Sequence, residues 1–99
     1  MKKYLVIGNP IKHSLSPKLH NYWIKENNIN AVYDMKQLNE SDIEEIIKEI
    51  KKNKIDGINV TIPFKKSVIP FLDQLSLLAK ETQSVNTIFK KNNKIIGDN

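Results

Sequence analysis

The chain has 99 residues, with sixteen lysines, no arginine and eleven acids, giving a net charge of +5 and a pI near 9.4. It contains no cysteine, which excludes disulfides, Cys-ligated zinc, thiol catalysis and iron–sulfur clusters. Its length supports one domain with a small core and excludes a cofactor domain and a substrate domain together. No apolar run approaches the roughly 18 residues of a membrane span. The basic-then-apolar start breaks at Gly8-Asn9-Pro10, so it reads as a first strand rather than a leader, and a cytoplasmic domain is expected. The lysines are scattered and accompany abundant Ile and Asn, which points to a coding-composition bias. Nucleic-acid readers use arginine forks and exposed aromatics. No nucleic-acid or membrane partner is therefore expected, only a mild pull on small anions.

In chain order, residues 4–7 form a continuous apolar run, as in a strand buried on both faces. Ser16-Pro17 opens a helix, with Ser16 as N-cap and Pro17 at the first helical position. Leu19, Tyr22 and Trp23 fall at i, i+3, i+4 and predict its buried stripe. Residues 31–38 read as a second strand. Ser41-Asp42-Ile43-Glu44 has the pattern of a capping box. Behind it Ile43, Ile46, Ile47 and Ile50 share one helical face, and Glu44 and Lys48 form an i, i+4 pair. Asp56-Gly57 turns into a third strand over residues 58–62, which Pro63 stops. Short helices are expected at 68–72 and 76–82, the second packing through Leu77, Leu78 and Ala79. A hairpin with its turn at Asn92-Asn93 ends the chain. Strands separated by helices predict an α/β fold: a three-layer, open, mostly parallel β-sheet with flanking helices and a C-terminal antiparallel hairpin.

In such sheets ligands bind beyond the carboxyl ends of the strands. The loops after Ile7 and Ile62 are therefore the candidates. The first has a single glycine and is not a phosphate loop, and no G-x-G-x-x-G occurs among the three glycines. This chain is expected to hold no dinucleotide and no other cofactor. His13 and His20, separated by Pro17, do not share a helical face, and no metal site is expected. His13 reads as a loop residue and His20 as a surface helix residue.

Three segments stand out together: residues 8–17, GNPIKHSLSP, after the first strand; residues 59–65, NVTIPFK, closing the third; and Val85-Asn86-Thr87 opening the hairpin. With Gly97-Asp98-Asn99 at the end, their order, spacing and residue types resemble the substrate-binding domain of the shikimate dehydrogenase family over the whole chain. Ser14 and Ser16 lie near a helix N-terminus, where two hydroxyls and free N–H groups can hold a carboxylate without arginine. The plain alternatives are a solvated loop serine and an N-cap. By the resemblance they bind the shikimate carboxylate. Asn59 and Thr61 alternate with Val60 and Ile62 on one strand face, where unpaired polar groups are costly. They, and Asn86 beside them, either hydrogen-bond internally or contact ring hydroxyls. Lys65 on its own would read as a solvated lysine, whereas the resemblance makes it the catalytic lysine. An ammonium there can protonate or stabilise the alkoxide left by hydride reduction of a ketone.

The family's last motif runs Gly-Asp-Asn-Thr-Asp-Gly, and its second aspartate pairs with the lysine. Asp98 corresponds to the first aspartate and is not given that role. The expectation is thus residues 1–99 as a substrate-binding domain of an NADP-dependent shikimate dehydrogenase, with the catalytic aspartate and the NADP-binding Rossmann domain absent from this chain. The expected partner is shikimate or 3-dehydroshikimate, with a homodimer left open. The alternatives are a non-catalytic shikimate-binding or structural fragment, and a quinate/shikimate dehydrogenase relative.

Overall fold

The computed structural model describes residues 1–11 and 16–99, without the side chains of residues 16 and 17. Its strands are β1 (Lys2–Gly8), β2 (Ala31–Gln37), β3 (Gly57–Val60), β4 (Gln74–Leu75), β5 (Thr87–Lys91) and β6 (Lys94–Asp98). Its helices are α1 (Ser16–Glu26), α2 (Ile43–Lys51) and α3 (Leu77–Thr82), with single 3-10 turns at Glu40–Asp42 and Ile69–Phe71. The six strands form one sheet in the order β2-β1-β3-β5-β6-β4. The pairs β1–β2, β1–β3 and β4–β6 are parallel, whereas β3–β5 and β5–β6 are antiparallel. This is the mixed, mostly parallel α/β sheet with a terminal hairpin that the strand and helix pattern predicts. Asn92 and Asn93 both take positive φ (52° and 62°), as a two-residue hairpin turn demands, and Asn tolerates that region better than most residues.

Alternation along each strand divides the side chains between two layers. On one face Leu5 and Ile7 of β1, Ile58 and Val60 of β3, Ile88 of β5 and Ile95 of β6 pack against Ile43, Ile46, Ile47 and Ile50 of α2. Each fully buried isoleucine contributes about 1.5–3 kcal/mol, so this layer dominates stability. On the other face Val6, Ile11 and Tyr33, with Tyr4 and Ile24 of α1, form a much smaller cluster. Among the described residues no helix is long and apolar enough to cross a membrane.

Several local expectations are corrected. The stripe predicted to be buried on α1 faces out: Leu19, Tyr22 and Trp23 are 51%, 60% and 54% exposed. The packed side is His20, Asn21 and Ile24 instead. The cause is the edge strand β2, whose outward backbone groups need partners. The Asn21 carboxamide takes both the N–H (2.8 Å) and the C=O (2.5 Å) of Tyr33, and so sets the rotation of α1. His20 is accordingly half-buried and stacks on Tyr33, rather than being a surface residue.

The start of α2 is corrected as well. The helix itself begins at Ile43, but a 3-10 turn, Glu40–Asp42, leads into it, and the reciprocal pair that opens the turn is Asn39–Asp42, two residues before the Ser41–Glu44 box. The Asp42 carboxylate accepts from Asn39 N–H (2.9 Å), and Asp42 N–H donates to the Asn39 carbonyl (2.9 Å). Lys48 pairs with Glu45 at 3.7 Å rather than with Glu44, and both side chains are exposed, so the pair adds little. Strand β3 ends at Val60, leaving Ile62 71% exposed where the chain turns into Pro63. Residues 69–71 form a 3-10 turn, and the two-residue β4, too short to show alternation, follows it. On α3 only Ala79 is buried, while Leu77 and Leu78 are 73% and 51% exposed.

Two contacts fix the carboxyl edge of the sheet. A Cβ on Gly8 would lie 2.5 Å from Thr61 Cγ2 and 3.0 Å from the Ile62 carbonyl oxygen. At the far side the Asp98 carboxylate lies below its ordinary value of 3.8, first because the Ser76 hydroxyl donates to it and then because Asn99 N–H does. The same Ser76 Oγ accepts from Ala79 N–H (3.2 Å) and caps α3. A lowered carboxylate pKa contributes stability above the unfolded value that is lost as pH falls through the folded one.

Two outcomes follow. Gly8→Ala should cost about 1–3 kcal/mol in urea unfolding, because backbone must shift. Gly57→Ala, whose nearest neighbours are at 3.3–3.4 Å, should cost less. The native chain should lose stability as pH drops below about 4, and Asp98→Asn should lose less over the same interval. Parallel acid profiles of the two chains would refute the Ser76–Asp98 link.

Candidate substrate site

The sheet changes direction between β1 and β3. From β1 the chain crosses α1 to reach β2 on one side, and from β2 it crosses α2 to reach β3 on the other. Their carboxyl ends therefore open a crevice, the place where open α/β sheets bind ligands. The absent Cβ of Gly8 lets these ends close on each other. Thr61 N–H donates to the Ile7 carbonyl (2.9 Å), and Asn9 N–H donates back to that of Ile62 (3.0 Å). The loop after β1 is also tied to the end of β2, through Asn9 Nδ2 on the Leu38 carbonyl (3.0 Å) and Ile11 N–H on Gln37 Oε1 (3.3 Å). Both loops turn through proline, with cis peptides at Asn9–Pro10 and Ile62–Pro63.

Lys65 follows directly. Phe64 before it and Val68 after it are buried in the main core, so the intervening turn is anchored at both ends. Phe64 N–H bonds the Thr61 carbonyl (3.0 Å), and the Lys65 carbonyl accepts from Val85 N–H (2.8 Å). The Lys65 side chain is exposed at this rim, as is Lys66. The bond to Val85 brings in the next element: Asn86 N–H donates to the Asp98 carbonyl and Asn86 C=O accepts from Val60 N–H (2.9 and 2.8 Å). Thr61, Lys65 and Asn86 thus share one edge of the sheet. Asn59 lies one step below Thr61, on the face opposite the main core. It pairs with Thr87 across β3–β5, and Thr87 pairs with Asp98.

The Asn59 carboxamide is engaged inside the protein. Its Oδ1 accepts from the Tyr33 hydroxyl (2.6 Å), and its Nδ2 donates to the Asn86 carbonyl and to Thr87 Oγ1 (both 3.3 Å). Thr87 Oγ1 donates on to Asn86 Oδ1 (3.0 Å). Tyr33 is a site residue that the strand pattern does not flag. Its signal is chemical: a buried tyrosine hydroxyl needs a partner, and here that partner is Asn59. Burial raises its phenol above the ordinary 10.0. Ser16 is the first residue of α1, while Ser14 and His13 lie outside the described residues. The side chain of Ser16 is likewise not described, so neither its hydroxyl's capping role nor its ligand role is placed.

The described residues of the crevice lack the open glycine that a dinucleotide's pyrophosphate needs. The single glycine after β1 is packed against Thr61 and Ile62 rather than open towards a pyrophosphate, and Asn9 and Pro10 follow it. The residues that backbone bonds bring to this edge, Lys65, Thr61 and Asn86, carry an ammonium, a hydroxyl and an amide, a donor and acceptor set suited to a small oxygen-rich molecule. A surface hollow of about 340 Å³ lies elsewhere, lined by Ile69, Leu72, Asp73, Gln74, Leu75 and Lys80.

Comparison with known proteins gives the family. The sequence profile of the shikimate dehydrogenase substrate binding domain matches residues 6–88. The chain is 65% identical over 98 residues to the NADP(+) shikimate dehydrogenase of Pelagibacter ubique, covering 99% of this chain and 37% of that protein. The crystal structure of the Aquifex aeolicus shikimate dehydrogenase superposes with a TM-score of 0.92 at 42% identity, over 100% of this chain and 37% of that one. The Thermus thermophilus enzyme, solved in complex with NADP(H) and shikimate, gives 0.92 at 27% identity, over 100% and 38%. The chain thus spans little more than a third of the relatives it matches. In sequence and in fold, it belongs to the family of shikimate dehydrogenase substrate-binding domains.

Proposed function

We propose that residues 1–99 are the substrate-binding and catalytic-lysine domain of a cytoplasmic, NADP-dependent shikimate dehydrogenase, which interconverts 3-dehydroshikimate and shikimate. The observation that carries this reading is the backbone linkage that brings Thr61, Lys65 and Asn86 to one edge of the sheet, in a chain that belongs to this family. The relatives named above are NADP(+) enzymes, and one was solved with shikimate and NADP(H). The dinucleotide belongs to the part of such enzymes beyond this domain, and the part assigned to these residues is to hold the substrate and supply a proton.

That part follows from side-chain chemistry. Ser14 and Ser16, at the entry to α1, hold the substrate carboxylate with hydroxyls and free backbone N–H groups, favoured by the helix N-terminus. Asn59, Thr61 and Asn86 take the ring hydroxyls, since amides and hydroxyls both donate and accept. Lys65 Nζ donates a proton to the carbonyl oxygen as that carbon is reduced, and takes it back in the reverse direction. Two buried anchors hold its turn, which keeps the ammonium's origin fixed while its stem stays free to reach.

The test places this domain before the remaining length of the Pelagibacter ubique enzyme. That graft should oxidise shikimate with NADP+ and prefer shikimate to quinate. Lys65→Ala should lower its kcat by about 10²- to 10⁴-fold with little change in KM, the range for a lost general acid. Near-native turnover of the Lys65→Ala graft would remove that residue from the chemistry. A graft that binds shikimate without turnover would favour a binding module.

A further inference from the structure

The hydrogen bonds beside the crevice have a direction that one atom dictates. The Asn86 backbone carbonyl faces both Val60 N–H (2.8 Å) and the Asn59 carboxamide (3.3 Å). A carbonyl can only accept, so Asn59 must turn its NH2 towards it. The same NH2 donates to Thr87 Oγ1 (3.3 Å). Asn59 Oδ1 is thereby turned towards β2, where only a donor can meet it, and the Tyr33 hydroxyl does so at 2.6 Å. Having accepted from Asn59, Thr87 gives its own proton to Asn86 Oδ1 (3.0 Å). The side chain of Asn86 is then oriented as well, with Nδ2 as its remaining donor. Among the described residues nothing accepts from that Nδ2.

The phenol at the head of this chain has little freedom. Tyr33 is 4% exposed, and its backbone is clamped on both polar atoms by Asn21. Its ring stacks on His20 with centroids 4.2 Å apart and planes at 9°. The hydroxyl reaches Oδ1 across β1 on the same face of the sheet, 26 residues away in sequence.

We infer that Tyr33 is a positioning residue of the substrate site: its hydroxyl, bonded to Asn59 Oδ1, holds the Asn59 carboxamide in the orientation that the Asn86 carbonyl imposes, and through Thr87 that of Asn86, so that Asn86 presents an N–H donor to an oxygen of the substrate ring. The inference rests on the reading of Asn59 and Asn86 as substrate contacts. Burial supports it by keeping the phenol protonated, hence a donor, through the neutral range. The oxygen selected is one that accepts, a hydroxyl or ketone oxygen of a polyol ring. Asn59 Oδ1 keeps one acceptor position beside Tyr33 for a ring O–H.

Tyr33→Phe tests this, because it removes the hydroxyl and keeps the ring that stacks on His20. In the graft, KM for shikimate should rise about 3- to 10-fold, as for one lost hydrogen bond, with kcat nearly unchanged. Added to Asn59→Ala, the same substitution should change nothing further, since the hydroxyl acts through Asn59. A Tyr33→Phe effect that persists undiminished in the Asn59→Ala background, or that falls on kcat alone, overturns the positioning role. A graft whose KM ignores Asn59→Ala counts against the substrate-site reading instead. The side-chain amide resonances of Asn59 and Asn86 in the 99-residue chain then still decide the orientation. Both should shift and broaden in Tyr33→Phe, and resonances identical to those of the native chain overturn the inference.

Discussion

The site depends on how closely the carboxyl ends of β1 and β3 approach each other. Gly8 is the residue that permits it, since any Cβ there would collide with Thr61 and the Ile62 carbonyl. With the gap closed, the two chain ends exchange backbone hydrogen bonds beyond the last paired residues. Asn9, just past β1, and the segment leading into the Lys65 turn become neighbours as a result. A wider gap would leave the same residues in the same order without a shared surface.

The large core layer supports that edge indirectly. Phe64 and Val68 reach down into it from either side of Lys65, so apolar burial positions a charged residue that itself contributes nothing to the core. The opposite layer is built differently. Its apolar cluster is small, and hydrogen bonds between β2, β3 and β5 through Tyr33, Asn59 and Thr87 complete it. One face thus provides stability, and the other carries the polar groups that a substrate domain uses. A half-buried polar row of this kind is tolerable because each described member has a partner.

Helix α1 shows how an edge strand can override hydrophobic periodicity. Leu19, Tyr22 and Trp23 have the spacing of a buried stripe, and burying them would remove more apolar surface from water. The outward N–H and C=O of Tyr33 needed partners, and Asn21 supplies both at once. Unpaired edge groups invite another strand to add, so the carboxamide also shields the sheet at this point. The three large side chains are left in solvent as the consequence.

By itself the sequence determined the element order, the mixed sheet with its terminal hairpin, the buried isoleucine face of α2 and the motifs that mark the family. Those are set by local signals: period 2, period 3.6, turn residues, and residue types at fixed spacing. It also singled out Asn59, Thr61, Lys65 and Asn86. The rotation of α1, the two-residue β4 and the role of Tyr33 were decided only by tertiary structure. Each depends on a group distant in sequence: an edge strand seeking partners for α1, β6 for β4, Asn59 for Tyr33. The two alternatives for Asn59, internal partner or ligand contact, also met there. Its amide is bound within the sheet and still keeps an acceptor position, because an amide has more hydrogen-bonding capacity than Tyr33, Asn86 and Thr87 take up.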